Sequence, residues 1–204
     1  MKKIIALLTV LILFSGCEVL QQVSQSAGLG IPVTQDEAGQ GIKEALSQGL
    51  VRAVLQLNKP DGFFKDLTYK VLLPPDAQKI EDALRAIGLD NLVDKAILQI
   101  NRGAEDAAGY AKPIFVNAIK NMTLTDAIGL VKNGDTSATH FFREKTTQQL
   151  YAAFLPIIKS SLNRVDATKY YGDIVNKYNN FPLTFKKINP DLASYVTTKA
   201  TNAL

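Results

Sequence analysis

Cys17 and His140 are the only cysteine and the only histidine in the 204-residue chain, which also lacks tryptophan. Soft-metal sites and nucleophile–base pairs draw mainly on these two residue types, so little material exists for either. His140 follows Thr136 by four residues and Ser137 by three, a spacing that places a hydroxyl and an imidazole on one helix face. No G-x-S-x-G or S-x-x-K motif accompanies it, and an ordinary histidine on a helix face is the simpler reading. The stretch Gly129–Thr136 has the glycine spacing of a P-loop, but Asp135 stands where the phosphate-binding lysine belongs. Its carboxylate would repel a nucleotide, and the preceding residues read as helix rather than strand. Capping of the next helix by Asp135 or Thr136 is expected instead. A metal site would have to be assembled from carboxylates such as Glu105, Asp106 and Asp135, which suit hard ions. Solvated or paired charges are the plainer account of these three, and neither a metal nor a cofactor is expected.

A second group is more promising. Arg102 and Glu105 are i,i+3 neighbours on a helix whose other face is apolar, and Asn101 lies one turn from Glu105. Two roles are open to them. They form a polar cluster that locks helices together, or they stand with Asp135, Thr136, Thr139, Arg143 and Lys145 at the mouth of a pocket between helices.

The elements that would position these residues follow from the rest of the chain. Lys2 and Lys3 precede an eleven-residue apolar run, Ile4–Phe14, and then Ser15, Gly16 and Cys17. This is the grammar of an export signal, and the run is short of the ~20 residues needed to span a bilayer. The small residues directly before a lone cysteine resemble a bacterial lipoprotein signal, although Phe14 occupies the position usually held by leucine. On that reading residues 1–16 are removed and Cys17 carries the lipid, which makes the membrane a partner and the cell envelope the location, on its periplasmic or outer-surface face. Residues 17–33, rich in Gln, Ser and Gly, read as a tether.

From Thr34 onward the composition is that of a packed domain: over the whole chain 47% of residues are hydrophobic and 21% charged. The balance of 23 basic and 19 acidic residues gives +4, far too little to make nucleic acid a partner. Thr34 with Glu37 is a capping box, and Ile42, Leu46, Leu50 and Leu57 continue at helical spacing up to Pro60. Residues 63–73 read as an ordered loop. Further helices are expected from Pro75 to Gly88, from an Asp90 cap through Ala104, from Pro113 to Met122, and from a Thr123 cap to Asn133-Gly134. The longest periodic run follows, with a kink expected at Pro156. A tyrosine-rich helix comes after Asp166, then a Pro-bounded connection at Phe181-Pro182, and a last helix from Asn189-Pro190-Asp191. That helix keeps its apolar stripe to Leu204 without a cap, the pattern of an element cut short. The expected fold is all-α, an irregular bundle of about seven helices over residues 34–204.

Five segments carry a wider resemblance: Leu57–Phe63, Asn101–Glu105, Ala111–Phe115, Gly134–Thr139 and Asn189–Leu192. Together and in this order they resemble the bacterial domain of unknown function 4197, a group of envelope proteins often taken for lipoproteins. The resemblance implies an envelope setting and a helical fold. It implies that members continue beyond the last helix seen here, and it carries over no catalytic residue. A non-enzymatic binding or scaffolding module is therefore expected, with an unknown envelope protein or small ligand as its partner. A carrier for a hydrophobic or anionic ligand held between helices is the alternative, and an envelope hydrolase a distant third.

Overall fold

Helical periodicity dominates the chain, and the computed structural model, which describes residues 33–164, 166–180 and 187–204, contains helices, turns and loops. The signal pattern, Cys17, the tether up to residue 32 and the Phe181-Pro182 connection lie outside the described residues. Eight α-helices are present among the described residues: α1 (Gln35–Leu57), α2 (Gln78–Ala86, led by a 3-10 turn Pro75–Ala77), α3 (Asp90–Ala108), α4 (Ala111–Asn121), α5 (Leu124–Lys132), α6 (Ser137–Asn163), α7 (Ala167–Asn179) and α8 (Leu192–Ala203). There is no strand among them, so the fold is all-α. Within the described residues no single helix is long and apolar enough to cross a membrane.

Local chemistry sets most of the boundaries. Thr34 N–H donates to Glu37 Oε2 (2.9 Å) and Glu37 N–H to Thr34 Oγ1 (3.2 Å), and Thr123 with Asp126 repeats this box at the start of α5. Gly88 and Gly134 end α2 and α5 with φ of +80° and +96°, a conformation that glycine adopts without a Cβ penalty. Three starts differ from expectation. Leu89 rather than Asp90 flanks α3, which leaves Asp90 in the first turn, where its charge favours the positive helix end. Ala111 opens α4, and Pro113 sits in its first turn, where a missing N–H costs nothing. Thr136 flanks α6 without a side-chain cap, and Asp135 does not supply one. Pro156 does not interrupt α6. Pro156 and Ala152, whose carbonyl it leaves without an N–H partner, are both on the exposed face, where water can satisfy that carbonyl.

The core forms around α6, which packs against α3, α4, α5, α7 and α8. Its buried stripe is Phe142, Thr146, Leu150, Phe154, Ile158 and Leu162, each one turn from the last. Complete burial of side chains such as Phe154, Ile158 and Ile100 contributes about 1.5–3 kcal/mol apiece. The α3 face that meets α6 is made of small residues. A Cβ on Gly103 would lie 3.1 Å from Ser161 Cβ, and Ala104, Ala107 and Ala108 are wholly buried beside it. Close helix approach therefore depends on that run of small side chains.

Helix α1 is attached mainly near its ends. Gly39 lies under Leu124, where a Cβ would come within 2.8 Å of the leucine Cδ2. Lys43 Nζ donates to the carbonyls of Met122 (2.8 Å) and Lys120 (3.3 Å), and at the other end Val54 and Leu57 are buried. Between these attachments Ile42, Leu46 and Leu50 are only half-buried.

Candidate functional site

The loop between α1 and α2 begins with Lys59-Pro60-Asp61-Gly62, closed by Gly62 N–H donating to Lys59 carbonyl at 2.9 Å. Proline at the second position and φ of +67° at the third, Asp61, is the type II pattern, and Asp is among the few non-glycine residues that tolerate it. Gly62 is required by space: a Cβ there would fall 2.5 Å from Leu57 carbonyl oxygen. The turn sets Asp61 against Arg102, with Oδ1 accepting from Nη2 at 2.7 Å, while Lys65 Nζ reaches Oδ2 at 2.8 Å. Hydrogen bonds from Lys65 and then Arg102 hold the Asp61 carboxyl below the usual carboxylate range.

Glu105 and Asn101 fasten the rest of that loop. Glu105, 3% exposed, accepts at Oε1 from the backbone N–H groups of Phe63 and Phe64, both at 3.1 Å, and at Oε2 from Arg102 Nη1 at 2.6 Å. Asn101, wholly buried, accepts from Val71 N–H and donates to the carbonyls of Val71 and Ile97, all at 2.8 Å. Asn58 Nδ2 adds a bond to Glu105 carbonyl at 2.7 Å. Every polar atom of both buried side chains is thereby engaged, and the partners lie in one loop and one helix. The cluster ties the α1–α2 loop to α3 and does not join helix to helix.

The eight residues grouped from sequence divide in space. Asn101, Arg102 and Glu105 stay together on α3. Thr139 and Arg143 line a separate groove, open to solvent, about 740 Å³ in volume and walled by α1, α6 and the end of α8, with Phe115 of α4 also contributing. Asp135 and Thr136 are exposed in the α5–α6 connection, outside both places, and Lys145 pairs with neighbouring Glu144 at 3.3 Å. No single pocket gathers the eight. His140 is exposed on α6, and no hydrogen bond links it to Ser137. Gly129–Lys132 belong to helix α5, so the P-loop spacing has no strand before it. Among the described residues no three Asp, Glu, His or Cys side chains come together as a metal-binding set, Glu105, Asp106 and Asp135 included.

The groove is the feature that sequence reading did not isolate. Ile42, Leu46 and Leu50 of α1 face Phe142 and Leu150 of α6 across it. A face of half-buried leucine and isoleucine reads identically whether it closes on a core or borders an opening, so periodicity alone could not reveal it. Gly49, which also borders the opening and whose Cβ would meet nothing within 4 Å, is the one local signal. At about 740 Å³ the groove falls within the ~300–1,000 Å³ typical of small-molecule sites. A smaller apolar cavity, about 120 Å³ between α2, α3 and α7, holds no more than a few waters' volume.

No curated protein and no solved structure matches the chain. The family model described as "Protein of unknown function (DUF4197)" matches residues 32–204. Two of the segments that carry this likeness, Leu57–Phe63 and Asn101–Glu105, are the two that meet through Asn58, Asp61, Phe63, Arg102 and Glu105. With that match spanning everything after the N-terminal stretch, the chain belongs to the DUF4197 family of unknown function.

Proposed function

We propose that this chain is a lipid-anchored protein of the bacterial cell envelope, held through Cys17, whose helical domain binds a small apolar ligand and catalyses no reaction. The observation that carries the binding role is the open groove between α1 and α6, with Ile42, Leu46, Leu50 and Phe142 in its walls and a volume suited to a small molecule. Its lining is mostly apolar, and the polar side chains along it are chiefly threonines, with Arg143 the one charged group, as in sites where apolar contact supplies affinity and polar groups supply orientation. The Asn101–Arg102–Glu105 cluster takes no part in binding on this reading, because its hydrogen bonds are all made within the protein.

The test is titration of the protein with an environment-sensitive naphthalene dye. Saturable fluorescence enhancement at one dye per protein is expected, and it should vanish in Gly49→Leu, which fills the groove from α1. That variant places its side chain in open space and removes a helix-interior glycine, so its fold should be retained or strengthened. Dye binding that is absent in the native protein, or equal in native and variant, refutes the role given to the groove.

A further inference from the structure

Arg143 contributes the one charged side chain in the wall of the groove, and it has no carboxylate partner among the described residues. Arg85, Arg102 and Arg164 each meet at least one carboxylate, whereas Arg52, which does not line the groove, meets none among the described residues either. The hydroxyls of Thr146 and Thr147, further along the same wall, donate to the carbonyls of Phe142 and Arg143 one turn back, so their donor capacity is taken up inside the helix. Across the groove Thr201 Oγ1 is buried without a hydrogen-bond partner, although Thr197 and Thr198 of the same helix bond back to α8. With Thr201 Oγ1 sealed from the opening, the unpaired guanidinium of Arg143 is the charge that an amphiphile with a small anionic head would satisfy.

We infer, resting on the binding role proposed above, that the ligand is a single-chain fatty acid whose carboxylate pairs with Arg143 and whose alkyl chain runs along Ile42, Leu46 and Leu50. Charge count favours a carboxylate over a phosphate. One guanidinium fork matches the two oxygens and the single charge of a carboxylate. A phosphate monoester carries about −1.5 to −2 and would be left partly uncompensated here.

Calorimetric titration of the full-length protein with dodecanoate, dodecanol and dodecyl phosphate, each below its micellar concentration, tests this. Dodecanoate should bind one per protein and about tenfold more tightly than dodecanol, the scale of one partly exposed charge-assisted contact. Arg143→Gln should bring dodecanoate down to the dodecanol level with an unchanged melting temperature, and Gly49→Leu should abolish binding of both. Equal affinity for dodecanoate and dodecanol in the native protein overturns the carboxylate assignment and leaves the groove standing. Tighter binding of dodecyl phosphate overturns it in favour of a phosphate head. Binding of none of the three overturns this inference; the dye titration then decides separately whether the groove binds ligands at all.

Discussion

Replacing Glu105 with alanine removes the acceptor of three donors at once. Phe63 N–H is fully buried and Phe64 N–H partly so, and a buried donor left without a partner costs about 1–3 kcal/mol. Arg102, with a third of its side chain exposed, keeps Asp61 and turns toward water, so its loss adds little. The expected cost is about 3–5 kcal/mol, in line with removing one member of a buried pair. For a domain of this size, at roughly 2–4 °C per kcal/mol, the melting temperature should fall by about 6–20 °C. Glu105→Gln keeps one oxygen for the two amides but turns an NH₂ toward Arg102, and should lose less, about 1–2 kcal/mol. Scanning calorimetry gives the magnitudes. Amide hydrogen exchange gives the location, since protection should be lost first at Phe63, Phe64 and Val71. A Glu105→Ala protein that melts within 2 °C of the native one would refute the assignment of this cluster to structure.

Gly62→Ala should destabilise the protein by about 1–3 kcal/mol, read by urea denaturation, because its Cβ has only Leu57 and Gln56 carbonyl oxygens to displace. Acid should destabilise as well. Asp61 and Asp191 titrate below the usual range, held there by Lys65 and Arg102 and by Ser194, so their stabilisation is present above an unfolded-state value of about 3.9 and is lost as pH falls through the folded values. Melting temperature should therefore hold from pH 7 to about 5 and decline below about 4, with a shallower decline in Asp191→Asn; an unaltered slope in that variant would contradict the account. Cys17→Ala should move the protein from the membrane fraction to the soluble fraction of fractionated cells, and equal membrane recovery would contradict the lipid anchor.

How much of this was legible in advance depends on the range of each interaction. The Thr123–Asp126 box and the stripe from Phe142 to Leu162 are written within a few residues of one another, and sequence reading locates both. Asn101, Arg102 and Glu105 also stand out, as polar residues on an otherwise apolar helix. Their partners do not: Glu105 binds the amides of Phe63 and Phe64, 42 and 41 residues earlier, and Asn101 binds the backbone of Val71, 30 residues earlier. A peptide group leaves no mark in the amino-acid alphabet, so a side chain that binds one has no visible complement. Thr139 and Arg143 could be assigned to a pocket but not to the right one, since their companions across the groove lie on α1 and at the end of α8, far from them in sequence.

That Asn101 and Glu105 bind the loop through its main chain rather than its side chains bears on how this protein can vary. At positions 63, 64 and 71 the contact asks only for an amide hydrogen, and at Val71 also for a carbonyl. Drift at these sites is then limited by volume, strictly at the buried Phe63 and Val71 and loosely at Phe64. Proline alone is barred from all three by its missing N–H. The selective burden falls on the reading side, on Asn101 and Glu105, whose replacement no compensating change at 63, 64 or 71 could repair.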